Sequence, residues 1–497
     1  MFNSRVYSSA LLAIILSTMS IVFTGAQEEI DGIGEFTPED CPFEIPADFE
    51  DSADIVCGTV TVPQFHADPE QGTFTIGVSV LKSSSDNPAP DPLLMNSGGP
   101  GGSTILELGD LLASPVGTYI LQQRDIVLME VRGTVYTEPY LFCDPLFEAS
   151  TDDDMQAAAQ ACQSEWEAQG VRLDAFNSLE IVSDMVMTID ALNYETFNYY
   201  GVSYGTVFGQ HLIRDYPDRV RAVVFDAVSP LEINYIPKIA NNADRVFGLL
   251  FDYCVRDAYC SENYPDLESI LINAVNNLNA EPRIFTVEDS VTGEVHEVSV
   301  DGDYFIQILF DLMYIREIIQ ITPDIIGLVS ENPALGDIVL QQLVVQMDSF
   351  DRNMSLPLAL FVTCAEDGDI EPDEYQTNDL RPYVLSGMES YLPGEVCSLF
   401  SSAILDDFVD EPVSSDIPAL VLSGEMDPIT PPEWGDLVSG HLSNAYTYTF
   451  PTLGHGTIWQ DACPVTMMLT FLDNPDEEPD SACIADLELT FTSIFDE

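Results

Sequence analysis

Residues 197–216 read FNYYGVSYGTVFGQHLIRDY, and the fold follows from how this stretch divides. Phe197–Tyr200 is an apolar strand. Gly201-Val202-Ser203-Tyr204-Gly205 is a tight turn. Thr206–Tyr216 is a helix, stopped by Pro217-Asp218. No other G-x-S-x-G occurs in the chain. Small residues two before and two after the serine allow a sharp, strained strand-to-helix elbow that lifts the hydroxyl above the sheet. The Tyr204 N–H at the helix start then faces the site, where the helix dipole favours developing negative charge. Val220–Asp226 follows as another buried-type strand. Strands alternating with helices predict a parallel α/β sheet.

Upstream, two β-rich runs, Ile55–Val62 and Phe74–Leu81, flank a Pro/Gly/Asp loop, after an acidic lead-in loop at residues 27–50. The short apolar strand Leu93-Leu94-Met95 runs into Asn96-Ser97-Gly98-Gly99-Pro100-Gly101-Gly102-Ser103. Glycines there let backbone N–H groups approach a substrate oxygen without Cβ obstruction. Gly99 N–H and Tyr204 N–H are the expected oxyanion-hole donors, a fixed donor being worth ~2.7–4 kcal/mol in the transition state. A phosphate-binding loop is the competing reading, and it fails because no Lys follows. Ile126–Met129 is a further strand. Residues 154–169 and 178–193 read as helices, the second with Ile181, Met185, Ile189 and Leu192 at spacings of three and four.

Downstream of Pro230 the character changes. Helical stretches dominate at 239–253, 265–278, 303–320 and 335–350, around a β-like piece at Arg283–Val300. After Glu411-Pro412 the strand pattern returns at Ala419–Ser423 and Tyr446–Phe450. A nucleophilic serine needs a histidine base, and the base needs a carboxylate to orient it. Asp427 and His455 each follow one of these strands, in the chain order serine, acid, histidine that such an elbow takes. Glu425 is the rival acid. His66, His211, His296 and His441 lie in a loop, a helix, the insertion and a helix end, and are expected to be surface or packing residues. No metal or organic cofactor is required by a Ser203, Asp427, His455 set.

The chain has 497 residues, with 84 Asp+Glu against 15 Lys+Arg and a formal charge of −69. Nucleic-acid and anionic-membrane binders need a basic patch, so those partners are excluded. Hydrophobic residues make up 46%, too many for a disordered acidic chain. Near-absence of lysine amid so many carboxylates points to saline surroundings, since salt screens the self-repulsion.

Met1 and Arg5 precede an apolar run from Ala10 to Phe23 and the small-residue stretch Thr24-Gly25-Ala26, the pattern of a secretory leader. No later segment is long and apolar enough to span a bilayer. Ten cysteines in an exported chain read as disulfides. Spacing cannot select among the pairings. The simplest is sequential: Cys41–Cys57, Cys143–Cys162, Cys254–Cys260, Cys364–Cys397 and Cys463–Cys483. The expected organisation is a leader at 1–26, a core half with the elbow at 27–229, a mainly helical cap insertion at 230–411, and a second core half with acid and histidine at 412–497. Oligomeric state is not legible.

With these residues assembled, the chain resembles the α/β-hydrolases of the proline iminopeptidase and tripeptidyl aminopeptidase family. The segments that carry the resemblance are Cys57-Gly-Thr-Val-Thr-Val-Pro63, Ser97-Gly-Gly-Pro-Gly101, Arg132-Gly-Thr134, Gly201-Val-Ser-Tyr-Gly-Thr206 and Tyr216-Pro-Asp-Arg219. They continue in Gly424-Glu-Met-Asp-Pro-Ile-Thr-Pro-Pro432 and Gly454-His-Gly456. The resemblance implies an α/β-hydrolase fold and a serine hydrolase acting on peptide N-termini, with a small-ester hydrolase as the alternative and a non-catalytic binding protein the weakest reading. Two segments depart from the family pattern: Ser97 stands where the family often has histidine, and Glu130-Val131-Arg132 where it often has Asp-Gln-Arg, departures that leave the expected triad intact and bear on the shape of the site. Thr363-Cys364-Ala365-Glu366-Asp367 is similar to the family's Cys-and-acid segment, which implies Glu366, with Asp367 second, as the anchor of a substrate's ammonium.

Overall fold

The computed structural model describes residues 32–495 apart from 44–54, 110–114, 148, 150–151, 289–294, 369, 371–373, 389–395 and 401–403. The expected leader at 1–26 lies outside them. The strands are β1 (Phe36–Pro38), β2 (Ile55–Pro63), β3 (Thr73–Leu81), β4 (Leu93–Asn96), β5 (Ile126–Met129), β6 (Thr137–Glu138), β7 (Phe197–Val202), β8 (Val220–Asp226), β9 (Arg283–Glu288), β10 (Val295–Val300), β11 (Ala419–Gly424) and β12 (Ala445–Phe450). One sheet runs β1-β2-β3-β5-β4-β7-β8-β11-β12, with β6 pairing β3 at the side, and β9 and β10 form a separate hairpin.

From β5 to β12 every neighbouring pair is parallel, while β1, β2 and β3 join antiparallel at one end. The inner parallel strands β4, β5, β7 and β11 are buried along their whole length because both faces are covered. Successive residues serve opposite faces. Tyr199, Val223, Phe225 and Val421 pack into one apolar layer, and Tyr200, Val224, Leu420 and Leu422 into the other. Each buried side chain of this size contributes ~1.5–3 kcal/mol relative to exposure.

Between β8 and β11 the helices Ile239–Arg256, Leu267–Ala280, Gly302–Leu312 and Thr322–Glu331 build an apolar core of their own. The helix Leu356–Glu366 behaves differently. Leu358, Phe361 and Val362 pack with the sheet's core, and the Phe361 ring lies 6.1 Å from that of Phe176 and 6.3 Å from that of Trp166. Part of the segment expected as cap therefore returns to the sheet well before residue 411.

Two local departures have clear causes. The lead-in loop contains β1, which adds to the sheet edge with Phe36 opposite Val60, a pairing that acidic, proline-bearing composition does not announce. The single helix expected over 303–320 is two, Gly302–Leu312 and Arg316–Ile319. The break at Met313–Ile315 turns the carbonyl of Tyr314 toward the site described next. Five disulfides pair the cysteines in sequence order, Cys41–Cys57, Cys143–Cys162, Cys254–Cys260, Cys364–Cys397 and Cys463–Cys483. Two of the few cations serve as internal ties: Arg132 is fully buried and donates from Nε and Nη2 to the Asp184 carboxylate at 2.7 Å each, and Arg124 pairs with Asp91. Among the described residues no helix is long and apolar enough to cross a membrane.

Candidate active site

Four of the loops that leave the carboxyl ends of parallel strands carry the residues singled out by sequence. Ligands in open α/β sheets bind at this edge. Ser203 follows β7 at φ +58°, in the left-handed region, where a non-glycine residue is strained. Its N–H donates to the Asp226 carbonyl at 3.0 Å, which holds the elbow to the neighbouring strand. Thr206 Oγ1 donates back to the Ser203 carbonyl at 2.7 Å, so the turn is secured on both sides.

The loop after β4 lies against this elbow. A Cβ on Gly98, whose φ is +84°, would sit 2.4 Å from the Val202 carbonyl oxygen and 3.0 Å from the Tyr204 nitrogen, so only glycine fits. The Gly98 N–H is engaged by Asn96 Oδ1 at 3.0 Å. Ser97, in place of the family's histidine, is buried, and its hydroxyl lies near Gly102 and the Glu107 carboxylate. Glu130 is buried beneath the same loop, accepting from Ser103 Oγ at 2.7 Å and Ile105 N–H at 2.9 Å, and burial pushes its pKa up to about 6.

Asp427 and His455 meet. His455 Nδ1 lies 2.8 Å from Asp427 Oδ2, with the aspartate side chain fully buried and the histidine 10% exposed. Asp427 Oδ1 accepts from Ile429 N–H at 2.9 Å and Thr430 N–H at 2.8 Å, and Thr430 Oγ1 donates to Oδ2 at 2.7 Å. Burial alone would raise the Asp427 pKa. The neighbouring imidazole and the two N–H donors outweigh it and leave the carboxyl below its ordinary value. Glu425 is directed elsewhere, accepting from Tyr253 Oη at 2.5 Å. The His455 loop also abuts the elbow, since a Cβ on Gly456 would lie 3.4 Å from Val202 Cγ2.

Three supporting residues escaped the sequence reading. Thr430 braces the acid as above. Arg245, from the helix Ile239–Arg256, donates to the carbonyls of Glu425 and Asp427. Tyr314 accepts the His455 N–H at 3.0 Å, and its ring lies 4.8 Å from the imidazole. Gly454 makes this approach possible, because a Cβ there would fall 2.4 Å from the carbonyls of both Met313 and Tyr314. The available signals were a scarce arginine on an apolar helix and the glycine before the histidine. Neither names its partner.

Three of the four remaining histidines have their surroundings defined, and His296 lies on β10 opposite Val287 of β9. His66 Nε2 pairs with Asp184 at 2.8 Å and His441 with Glu232 at 2.9 Å. His211 is buried, and burial, followed by the Arg214 charge, pushes its pKa down to about 3.

Glu366 does not stand as an open anchor. Its carboxylate accepts from Tyr204 Oη at 2.6 Å, Ser178 N–H at 2.7 Å and Ser178 Oγ at 2.8 Å. Burial raises its pKa against the pull of these bonds. It thus ties Tyr204, the residue after Ser203, to the start of the helix Ser178–Ala191. With Asp367 it lines a small pocket also bordered by Tyr204, His211 and Tyr235. Glu366→Ala orphans two buried hydroxyls and an N–H and is expected to cost roughly 1–3 kcal/mol of unfolding free energy, read from the urea midpoint. An unchanged midpoint with a raised KM for free-amine substrates would instead return Glu366 to the substrate.

Comparison with known proteins bears on the fold and the family. Residues 91–253 match the α/β hydrolase fold family, and residues 387–483 match the TAP-like protein family. The tripeptidyl aminopeptidase of Streptomyces coelicolor is 28% identical over 205 residues, covering 38% of this chain and 37% of that protein. The match thus spans well under half the length of that relative. The serine protease Hip1 of Mycobacterium bovis is 21% identical over 459 residues, 82% of this chain and 83% of that protein. A solved α/β hydrolase fold protein from Chitinophaga pinensis aligns at TM-score 0.35 and 14% identity over 81% of this chain and 94% of that one, a likeness too loose to argue from. The family matches, the parallel sheet and the loops at its carboxyl edge together make the chain an α/β-hydrolase of the tripeptidyl aminopeptidase-like family.

Proposed function

We propose that the protein is an exported serine peptidase that releases one or a few residues from peptide N-termini through an acyl-enzyme. The observation that carries this reading is the buried Asp427–His455 pair, 2.8 Å apart, with the His455 loop packed against the strained Ser203 elbow. Relatives named as a tripeptidyl aminopeptidase and a serine protease support peptide as the substrate class. The sequential disulfides suit an oxidising compartment.

In this reading His455 Nε2 takes the proton of Ser203 Oγ as that oxygen attacks the scissile carbonyl. Asp427 holds the imidazole in the required tautomer and stabilises its cation. Gly99 N–H and Tyr204 N–H receive the oxyanion. His455 then protonates the leaving amine, and water resolves the acyl-enzyme by the same base. The helices with their own core act as the cap that limits access to chain ends.

A panel of amino-acyl and tripeptidyl anilides, each free and N-acetylated, tests this. The free forms are expected to exceed the blocked ones in kcat/KM by on the order of 10²-fold, the worth of a charged hydrogen bond. Equal cleavage of blocked forms, with faster turnover of small acyl esters, would replace the peptidase by an esterase.

A further inference from the structure

Asp226 ends β8 and is fully buried, with no role in the chemistry just described. Two catalytic elements meet on this one residue. Its backbone carbonyl accepts the Ser203 N–H at 3.0 Å. Its carboxylate reaches across the carboxyl edge of the sheet to the loop that carries His455. There Oδ1 accepts the Thr457 N–H at 2.9 Å, and Oδ2 accepts the Ile458 N–H at 3.1 Å and the Tyr200 Oη–H at 3.0 Å.

The need for such a group follows from the local backbone. Thr457–Trp459 is a single 3-10 turn that begins two residues after the base, and its N-cap is Gly456, which has no side chain to offer. The first N–H groups of any helical turn lack partners within it. A buried, orphaned donor costs as much as a lost hydrogen bond. Asp226 supplies the missing acceptors from another strand, 231 and 232 positions earlier in the chain. The cost is a carboxylate kept out of water, and burial accordingly pushes its pKa above the ordinary value. Tyr200, whose hydroxyl completes the carboxylate's shell, stands on the other strand of the elbow, and its ring lies edge-on to Trp459 at 6.3 Å.

We propose that Asp226 is a positioning residue that sets the distance between nucleophile and base. Its main chain fixes the Ser203 elbow, and its side chain fixes the start of the turn behind His455, so the two move as one body. This rests on the Ser203–His455 reading above. Misplacing a reacting group by about 1 Å costs on the order of 10²-fold in rate, and loss of this bridge acts on acylation and leaves substrate binding nearly intact.

The test compares wild type with Asp226→Asn and, separately, Thr457→Pro. The first puts an N–H₂ where an acceptor was. The second deletes one of the two bridged donors at a first-turn position that tolerates proline and leaves Asp226 itself in place. Two quantities are read on folded protein: the rate of Ser203 labelling by a fluorophosphonate, and kcat and KM on a free-amine anilide. Asp226→Asn is expected to slow labelling and kcat by on the order of 10²-fold with KM changed less than about threefold, and Thr457→Pro to do the same to a smaller degree, ~10-fold. If Asp226→Asn does not fold, Thr457→Pro alone decides. Wild-type labelling and kcat in a folded variant overturn the proposal, as does a loss confined to melting temperature. A wild type that is not labelled at Ser203 overturns the nucleophile reading, and this proposal with it.

Discussion

Ser203→Ala is expected to lower kcat on amino-acyl anilides by on the order of 10⁶-fold, and His455→Ala by a similar amount. The two groups act as a unit, so the double variant should be scarcely worse than either single one. The residual rate would come from the oxyanion donors and binding, which leave ~10³–10⁴-fold over water in comparable sites. KM should change little, because neither side chain is asked to hold the ground state. Ser203 sits half-buried at φ +58°, and alanine tolerates that conformation no better than serine. The loss of rate should therefore come without a gain or loss of fold that could mimic it. Near-wild-type turnover by Ser203→Ala, measured after active-site titration to exclude contaminating hydrolase, would remove the elbow from the mechanism.

Asp427→Asn should cost on the order of 10⁴-fold in kcat. The structure gives the reason in its hydrogen bonds. Oδ1 of Asp427 accepts two backbone N–H groups, from Ile429 and Thr430, so an asparagine would keep its carbonyl oxygen there. Its amide nitrogen would then replace Oδ2 and face His455 Nδ1 as a donor. The imidazole would answer by protonating Nε2, the nitrogen that must accept the Ser203 proton. The variant should fold, because shape and most partners persist, and the deficit should appear in kcat. The pH dependence of stability carries a matching sign. The folded pKa of Asp427 is depressed below the ordinary ~3.9. Its contribution to stability is therefore fully present above that unfolded value and is lost as pH falls through the folded one. Asp427→Asn should show a weaker loss of stability on acidification, read by urea denaturation at several pH values below 5.

Much of this site was legible along the chain because its signals are local. A strand, a five-residue elbow and a helix are adjacent in sequence, and the constraint on Gly201 arises within the turn itself, where a Cβ would sit 2.3 Å from the Gly205 carbonyl oxygen. Asp427 and His455 could be named because each closes a short apolar strand with turn residues on both sides. Glu366 shows the limit. Its segment resembles a family motif, and the resemblance implied a substrate contact. The fold instead delivers Tyr204 Oη and Ser178 to its carboxylate, donors 162 and 188 residues away in sequence. No periodicity in the neighbourhood of Glu366 encodes those partners. The helix expected over 303–320 failed for a related reason. The pattern continues through Met313–Ile315, and it is a carbonyl required by the His455 loop that accompanies the break.

The sequence by itself determined the class of sheet, the elbow, the two residues, Asp427 and His455, that the fold brings together, and the surplus of carboxylates. These depend on hydrophobic period, on turn chemistry and on counting, each a property of neighbours in the chain. Only the tertiary structure decided what the buried polar groups do. Asp226 reads in sequence as the last residue of a strand, and it becomes a bridge only when β8 lies beside β7 and the turn after β12 arrives above it. A charge taken out of water must find donors, and in a folded chain those donors come from whatever the topology brings near. That pairing is a property of space, and it is why Glu366 and Asp226, two buried acids among 84, could be told apart from the rest only once the chain was folded.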